Sequence, residues 1–584
     1  MRGKGWVGGR GVTLGLVLLI VAGTALRLAP IGANRFHQDE ALYSFWALQI
    51  ATGRDPILNH FRVDKPPLFI YTLALCFKLF GPSEVAARLP SELSSVASIA
   101  LLYYFAWRLY GRAVAMVAVI LMALSPFNIL FAPTAFTDPL MVAWVLAALC
   151  LAMNVRLGWS GLMLGLAAAT KQQGLLFVPL AIVIGARRHR PPPPAPPPTS
   201  GEESPLPPQS WGGLRGGLRK GLFFVSGFLA VMAPVAWWDS LRWQLQPNYF
   251  EQSLISCGGL ALADPAQLVE RFGDWAEILH YITASPFLNL LLLGGLPCLL
   301  LYDLGWRRRE PATFFDVVLS AFVILFLLGH WLLNFNIWDR YLLGLVPLLL
   351  ILLARVVWLA SGVLVHLLST LRKLYFTLGG DHRSTQSVIA SPRRGRSNLL
   401  PRVWGLLRRF APRNDICRQS EMRPLRGWVD LGTSGHKRPS LRLLATVAFL
   451  MTTLAGPARV AAQSGYPIGG DHGAYDGIEA VADYFRDGVP TGSILYHHWL
   501  GWHYSFYMFD FPLVFRWYPS PEELAQDARQ VDDAQRYVVF PSGKSTTAVK
   551  GALADAGLGL RSVYSAHGRD GSTSFTVYRI EDQK

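Results

Sequence analysis

The chain has 584 residues, 52% of them hydrophobic and only 16% charged, with 19 Trp, 32 Phe and 20 Tyr. Soluble domains carry about 25% charged residues, so a soluble globular class is excluded; the apolar runs, roughly 18 to 25 residues long, suit helices crossing a ~30 Å hydrocarbon core and not the ~10-residue alternations of a β-barrel. The net charge of +16 comes from 54 Lys+Arg against 38 Asp+Glu, and basic loops retained on the cytoplasmic side account for it without a nucleic-acid partner.

The first expected span is 12–30, read as an uncleaved helix, with Arg2, Lys4 and Arg10 placing the N-terminus inside. The loop 31–67 that follows then lies outside. It opens HQDEALY (37–43), closes VDKPPL (63–68), and holds Asp39, Glu40, Asp55, Asp64 and Lys65. Such a charge-dense stretch between apolar runs is costly and points to function. Residues 41–53 have helical spacing and end at a glycine, which predicts an amphipathic helix lying along the membrane interface. Pro66 and Pro67 hold Lys65 extended. The apolar piece 68–80 is short, as for an interfacial or re-entrant segment.

Further spans are expected at 86–109, 113–131, 139–155, 158–170 and 174–186. A Pro-rich cytoplasmic loop at 187–219 contains PPPPAPPP and reads as a spacer. Spans at 220–238, 284–303, 314–334 and 341–363 follow, with an outer loop at 239–283 and an outer turn NFNIWDRY (334–341). A basic cytoplasmic loop, 364–440, precedes the last span at 441–461. Eleven crossings from an inside start leave the C-terminus outside. Residues 462–584 change character. Helical spacing at 478–485 behind Asp476 as a cap, strand-like pieces at 493–499, 537–540 and 574–580, and a helix at 521–529 predict a small α/β domain. The five cysteines show no metal-binding spacing and read as packing residues.

On this count Asp39, Glu40, Asp64, Lys65, Asp138, Lys171, Asp339 and Arg340 all fall at the outer side. The carboxylates suit a general base or a cation ligand. The cations suit a phosphate and a leaving oxygen that gains charge. Together they describe a site for a phosphorylated substrate. His497, His498 and His503 sit among Trp499, Trp502, Tyr504, Tyr507 and Trp517, which favours an aromatic surface packed on the membrane helices, or a sugar platform, over a metal site. PSGKST (541–546) lacks the leading glycine of a Walker loop, having Val538 there.

DEALY, DKPPL about 25 residues on, FGPSEVAARLPS (80–91), TDPL (137–140) and ATKQQG (169–174) together resemble the polyprenyl-phosphate-dependent glycosyltransferases of the class C membrane fold, in particular the protein O-mannosyltransferase and lipid A aminoarabinose transferase group, over about residues 10–360. The spans and the resemblance together imply an all-α polytopic membrane protein of about 11 transmembrane helices, to which residues 462–584, only loosely family-like, add a small extracytoplasmic α/β C-terminal domain. The catalytic part is then 1–363, with 462–584 as the outer domain. It further implies an enzyme of the cell membrane that moves a sugar from a polyprenyl-phosphate donor to a hydroxyl of an unnamed protein, lipid or glycan acceptor at the outer face. Asp39 matches the presumed base of the family's first outer loop, and Glu40 would orient it or the acceptor. Asp138 matches the second outer-loop Asp. Lys65 and Lys171 match phosphate-binding lysines, with Arg340 a further phosphate ligand and Tyr341 a hydrogen-bond donor. Asp64 stands where some relatives have a metal-holding Glu, so a divalent cation is the one cofactor implied, and the shorter side chain weakens the match. A transporter of lipid-linked sugars is the competing reading. It would favour inverted repeats and polar groups near the bilayer midplane, and the polar groups here cluster at one face.

Overall fold

The computed structural model describes residues 7–32, 34–187, 209–243, 246–307, 310–379, 441–531 and 533–583. The Pro-rich spacer and most of the basic 364–440 loop lie outside the described residues. The chain divides into two compact units, residues 1–12 with 361–442, and residues 13–360 with 443–584. The candidate site lies wholly in the second.

Helices account for most of it: α1 (Val7–Leu28), α2 (Gln38–Thr52), α3 (Leu68–Phe80), α4 (Glu84–Tyr110), α5 (Arg112–Leu124), α6 (Pro126–Phe131), α7 (Asp138–Met153), α8 (Leu157–Thr170), α9 (Val178–Arg187), α10 (Gln209–Ser240), α11 (Tyr249–Ser256), α12 (Leu268–His280), α13 (Pro286–Trp306), α14 (Pro311–Leu332), α15 (Val346–Gly379) and α16 (Leu441–Ala462). Among the described residues six are long and apolar enough to cross a membrane: α4, α13, α14, α15, α16 and the 219–240 part of α10. The other five expected spans are present as shorter apolar helices. The predicted helix 113–131 is broken. Pro126 disfavours helical backbone in the residue before it, and Ser125 is extended there (φ −65°, ψ 121°), so α5 stops and α6 begins. Helices α8 and α10 approach so closely that a Cβ at Gly161 would stand 2.0 Å from the Phe224 carbonyl oxygen. Only glycine permits that contact, and it sets the position of α8, whose end carries Lys171.

Helix α2 corrects the interfacial-helix expectation. Ala41, Tyr43, Ser44, Phe45, Trp46, Ala47, Leu48 and Ile50 are all buried, which leaves no polar face. The helix begins earlier than expected, at Gln38, with a reciprocal cap. His37 Nδ1 accepts from Asp39 N (3.2 Å), and Glu40 Oε2 accepts from His37 N (2.8 Å). Gly53, left-handed at φ 75°, ends it.

The last 120 residues form α17 (Ile478–Gly488), β1 (Ile494–His497), α18 (Gly501–Tyr507), β2 (Val514–Trp517), α19 (Pro521–Arg529), β3 (Arg536–Pro541), α20 (Thr547–Asp555), β4 (Leu558–His567) and β5 (Thr573–Asp582). The sheet order is β2-β1-β3-β5-β4, with β1 parallel to β2 and β3, and β5 antiparallel to β3 and β4. Gly477, not Asp476, precedes α17 as its cap residue and makes no side-chain cap bond; Asp476 pairs with Arg569 (3.4 Å). Helix α18 covers α2. Phe506 packs edge-on to Phe36 (4.9 Å between rings), and buried His503 lies 2.9 Å from the Phe36 carbonyl oxygen through Nε2. His503 is therefore a docking residue, as the aromatic-surface reading expects.

One guanidinium holds the approach to α2. Fully buried Arg88 on α4 donates to the carbonyls of Ile31 (2.8 Å), Asn34 (2.9 Å) and Arg35 (2.9 Å), and to Glu40 (3.4 Å), itself fully buried. Removing one member of such a pair leaves a buried charge uncompensated, at a cost of about 3–5 kcal/mol. Arg88→Ala is expected to lower the thermal midpoint of the detergent-solubilised protein by several degrees or prevent its accumulation. An unchanged melting curve would show that Arg88 is not the tie.

Candidate functional site

Asp39 lies in the first turn of α2, and Arg340 in a short 3-10 turn, Asp339–Leu342, between α14 and α15. The two side chains are ion-paired across 301 residues of sequence. The Arg340 guanidinium also sits 5.1 Å from the ring centres of both Phe136 and Trp338. Burial tends to raise the Asp39 carboxyl, but Arg340 and His37 outweigh it and hold the group below its ordinary value. Asp339 fixes the turn. Its Oδ1 accepts from Arg340 N (2.7 Å) and its Oδ2 from Gly469 N (2.8 Å), which ties the turn to the segment after α16.

Beside this pair opens a cavity of about 610 Å³. Its lining combines the polar side chains of Lys65, Asp138, Lys171, Arg340 and Tyr341 with apolar side chains including Leu175, Leu176, Leu254, Phe322 and Phe326. Lys171, the extended residue that ends α8, donates to Asp138 Oδ1 at 2.6 Å and stands 4.7 Å from the Tyr341 ring centre. Burial lowers the Lys171 ammonium, opposed by Asp138 and reinforced by Arg340. Lys65 pairs with its neighbour Asp64. Cation, carboxylate and apolar wall together suit an amphiphile with an anionic head and a hydrocarbon tail.

The structure thus gathers Asp39, Lys65, Asp138, Lys171, Arg340 and Tyr341 into one region. It turns Glu40 away. That carboxylate is fully buried, caps its own helix, and accepts from Ala135 N (2.6 Å) and Arg88, so it braces the site and does not line the cavity. The Tyr341 hydroxyl lies 3.3 Å from Cys257 Sγ. The Asp64 carboxylate is taken up by Lys65, and among the described residues no group of three or more His, Cys, Asp or Glu side chains is placed to hold a metal. The described residues do not make a metal site by themselves.

Two sets of residues escaped the sequence reading. Gln172 Nε2 donates to the Asp64 carbonyl (2.8 Å) and Gln173 Nε2 to the Tyr341 carbonyl (2.9 Å), so the pair clamps both phosphate-side loops to the end of α8. Phe250, Ser253, Leu254, Cys257 and Leu260, on α11 and just after it, wall the cavity. Asn248 caps α11 by accepting from Glu251 N (2.8 Å), and the N-x-x-E spacing at 248–251 is a readable helix-start signal.

Residues 64–191 match the family model for dolichyl-phosphate-mannose-protein mannosyltransferase, a stretch that holds Asp64, Lys65, Asp138 and Lys171. ArnT of Cupriavidus metallidurans is similar in structure over 98% of both chains, at 16% identity and a TM-score of 0.59 for its apo form. Its undecaprenyl-phosphate-bound form is similar over 97% of both, at 15% identity and 0.58. YycA, a provisionally assigned mannosyltransferase of Bacillus subtilis (strain 168), is 25% identical over 156 residues, which span 24% of this chain and 22% of YycA. The likeness to ArnT shows a shared fold over nearly the whole chain, and the family match is confined to residues 64–191.

The segment between α16 and α17, tied to the Arg340 turn through Gly469, contains a buried carboxyl, Asp471. Asp471 is buried, with one oxygen accepting from Tyr475 N (3.1 Å) and the other without a hydrogen-bond partner. Burial, with the Glu40 carboxylate nearby, raises it to about 6. An unfolded Asp titrates near 3.9. The folded form therefore binds the proton more tightly, and this contribution to stability is full below about pH 4 and lost as pH rises through about 6. Thermal midpoints should fall between about pH 5 and 7 more steeply in the native protein than in Asp471→Asn. Equal slopes would remove Asp471 from the account.

Proposed function

We propose that the protein transfers a sugar, a hexose or pentose, from a polyprenyl-phosphate-linked donor to a hydroxyl acceptor at the outer face of the cell membrane. The observation that carries this reading is that Lys65, Lys171 and Arg340 line one cavity together with many apolar side chains. The likeness to a solved relative that binds undecaprenyl phosphate supports it. On this reading the bilayer supplies the donor, the N-terminus is cytoplasmic, and residues 462–584 are extracytoplasmic.

The polyprenyl tail lies along Leu175, Leu176, Leu254, Phe322 and Phe326, and the phosphate meets the three cations. Asp39 takes the proton of the acceptor hydroxyl as that oxygen attacks the anomeric carbon. The bond from the anomeric carbon to the phosphate oxygen breaks, and its electron pair leaves on the polyprenyl phosphate. Arg340, Lys65 and Lys171 stabilise that charge as it grows. Because Arg340 holds the Asp39 carboxyl down in the unliganded site, a phosphate that draws Arg340 toward itself leaves Asp39 with less of its counter-ion and a better base. Asp138 keeps Lys171 in place, and Glu40 keeps the first turn of α2 in place.

The test is transfer from a panel of labelled undecaprenyl-phosphate sugars by purified protein, read as sugar transfer or donor hydrolysis. Turnover with at least one donor is expected, and none with any would sink the reading. Asp39→Asn should cut turnover by about 10²–10⁴-fold while undecaprenyl phosphate still binds, the size associated with losing a positioned base. Lys65→Ala should instead weaken undecaprenyl phosphate binding by about tenfold, in line with one charged contact of ~1.4 kcal/mol. Unchanged affinity would take Lys65 out of the phosphate seat.

A further inference from the structure

A second cavity of about 370 Å³ lies on the other side of Arg340. Arg340 and Phe136 line both cavities and form the partition between them. The Asp39 carboxylate is paired with Arg340 and close to His37, which lines the second cavity, so the proposed base stands at that partition.

The lining chemistry of the two cavities differs. The second carries two carboxylates, Glu277 and Asp339, two imidazoles, His37 and His472, and the rings of Phe136, Tyr281 and Trp338. Its one guanidinium is Arg340, already engaged by Asp39. A chamber with that balance of charge is poorly suited to a second phosphate. Three isoleucines, Ile278, Ile337 and Ile468, are its aliphatic share, without the long wall a lipid chain needs. Carboxylates and imidazoles accept from and donate to hydroxyls, and aromatic faces cover the apolar side of a polar ring. No strand of the C-terminal sheet contributes to the lining, so there is no sheet edge to align an extended peptide. The roof is backbone, Pro467–Gly470, tied to Asp339 through Gly469 N. Gly469 has φ +71°, and a Cβ there would stand 2.9 Å from the Leu130 carbonyl oxygen, so the roof is seated directly on the helices.

We infer that this chamber is the acceptor seat and that the acceptor presents a saccharide hydroxyl to Asp39. The inference rests on the transferase reading above. It adds the acceptor class, and it assigns Glu277 and Trp338 as specificity-determining residues, with Asp339 as a positioning residue that ties roof and Arg340 together.

Full-length protein in nanodiscs, probed by saturation-transfer NMR, separates the alternatives. The probes are a panel of methyl glycosides of common hexoses and pentoses, and a short Ser/Thr peptide. At least one glycoside should bind. Undecaprenyl phosphate should not displace it, and Glu277→Gln or Trp338→Ala should weaken it about tenfold. Glu277→Gln should bind undecaprenyl phosphate as the native protein does, which also shows that it is folded; Trp338→Ala, which also removes a ring beside Arg340, is read for glycoside binding alone. Binding of the peptide alone, of no glycoside, or of a glycoside that undecaprenyl phosphate displaces overturns the inference. Donor binding and its loss in Lys65→Ala are read on the same preparation, so failure of the acceptor assignment is distinguishable from failure of the donor reading.

Discussion

The ion pair between Asp39 and Arg340 is the contact on which the site depends. It joins the start of α2 to the turn before α15, and its guanidinium is a wall of both cavities. Two groups with opposite tasks in the proposed reaction are thereby held together at rest. A carboxylate intended as a base is quieted by its partner, and a guanidinium intended for phosphate is kept ordered between Phe136 and Trp338. Donor binding would redistribute that pairing. Basicity at Asp39 then increases at the moment a leaving group is in place, which guards against proton chemistry without a donor.

The pair can be held only because the backbone around it is pinned by buried polar groups. Glu40 satisfies the start of α2 and the Ala135 amide, and Arg88 satisfies Glu40 and three loop carbonyls. Buried ion pairs add little net stability, because desolvation offsets most of their attraction. Their effect here is geometric. They fix where a loop of nine residues between α1 and α2 must run, and so where Asp39 points.

Much of the site was legible because ionisable residues are rare in an apolar chain. Asp39, Lys65, Asp138, Lys171 and Arg340 each interrupt or end an apolar run; the last four line one cavity, and Asp39 pairs with Arg340 at its edge. Glu40 shows the limit. Consecutive residues on a helix point about 100° apart, so of the Asp-Glu pair only Asp39 meets Arg340 while Glu40 meets Arg88, and composition does not say which. The burial of α2 was hidden for a different reason: its cover, α18, lies more than 450 residues later in the chain, and local hydrophobic spacing carries no information about such a partner. Strands β2 and β4 are not legible because β2 has only four residues, none of them buried, and the pairing of β4 shifts register between Ser562 and Tyr564, which breaks the alternation that marks a strand. The break at Ser125 shortens a helix that hydropathy alone would extend across the membrane, whereas the polar Lys171 marks its own break in the sequence.

Each cation of the candidate donor site is already matched to an acid: Lys65 to Asp64, Lys171 to Asp138, and Arg340 to Asp39. A cluster of three unmatched cations beside an apolar cavity would repel itself strongly at low local dielectric. Matched pairs remove that cost, so the unliganded site is stable. They also mean that donor affinity is a difference between two sets of contacts, phosphate to cations against carboxylates to the same cations. A sugar phosphate ester with one negative charge would compete modestly for the three cations. The polyprenyl phosphate released by transfer can carry more charge and would compete better. The same arrangement therefore favours the leaving group over the donor, which is the direction in which electrostatic stabilisation must act to lower the barrier. The cost appears afterward, because a tightly held product phosphate must leave before a new donor enters. The three carboxylates, poised to reclaim their cations, oppose that retention.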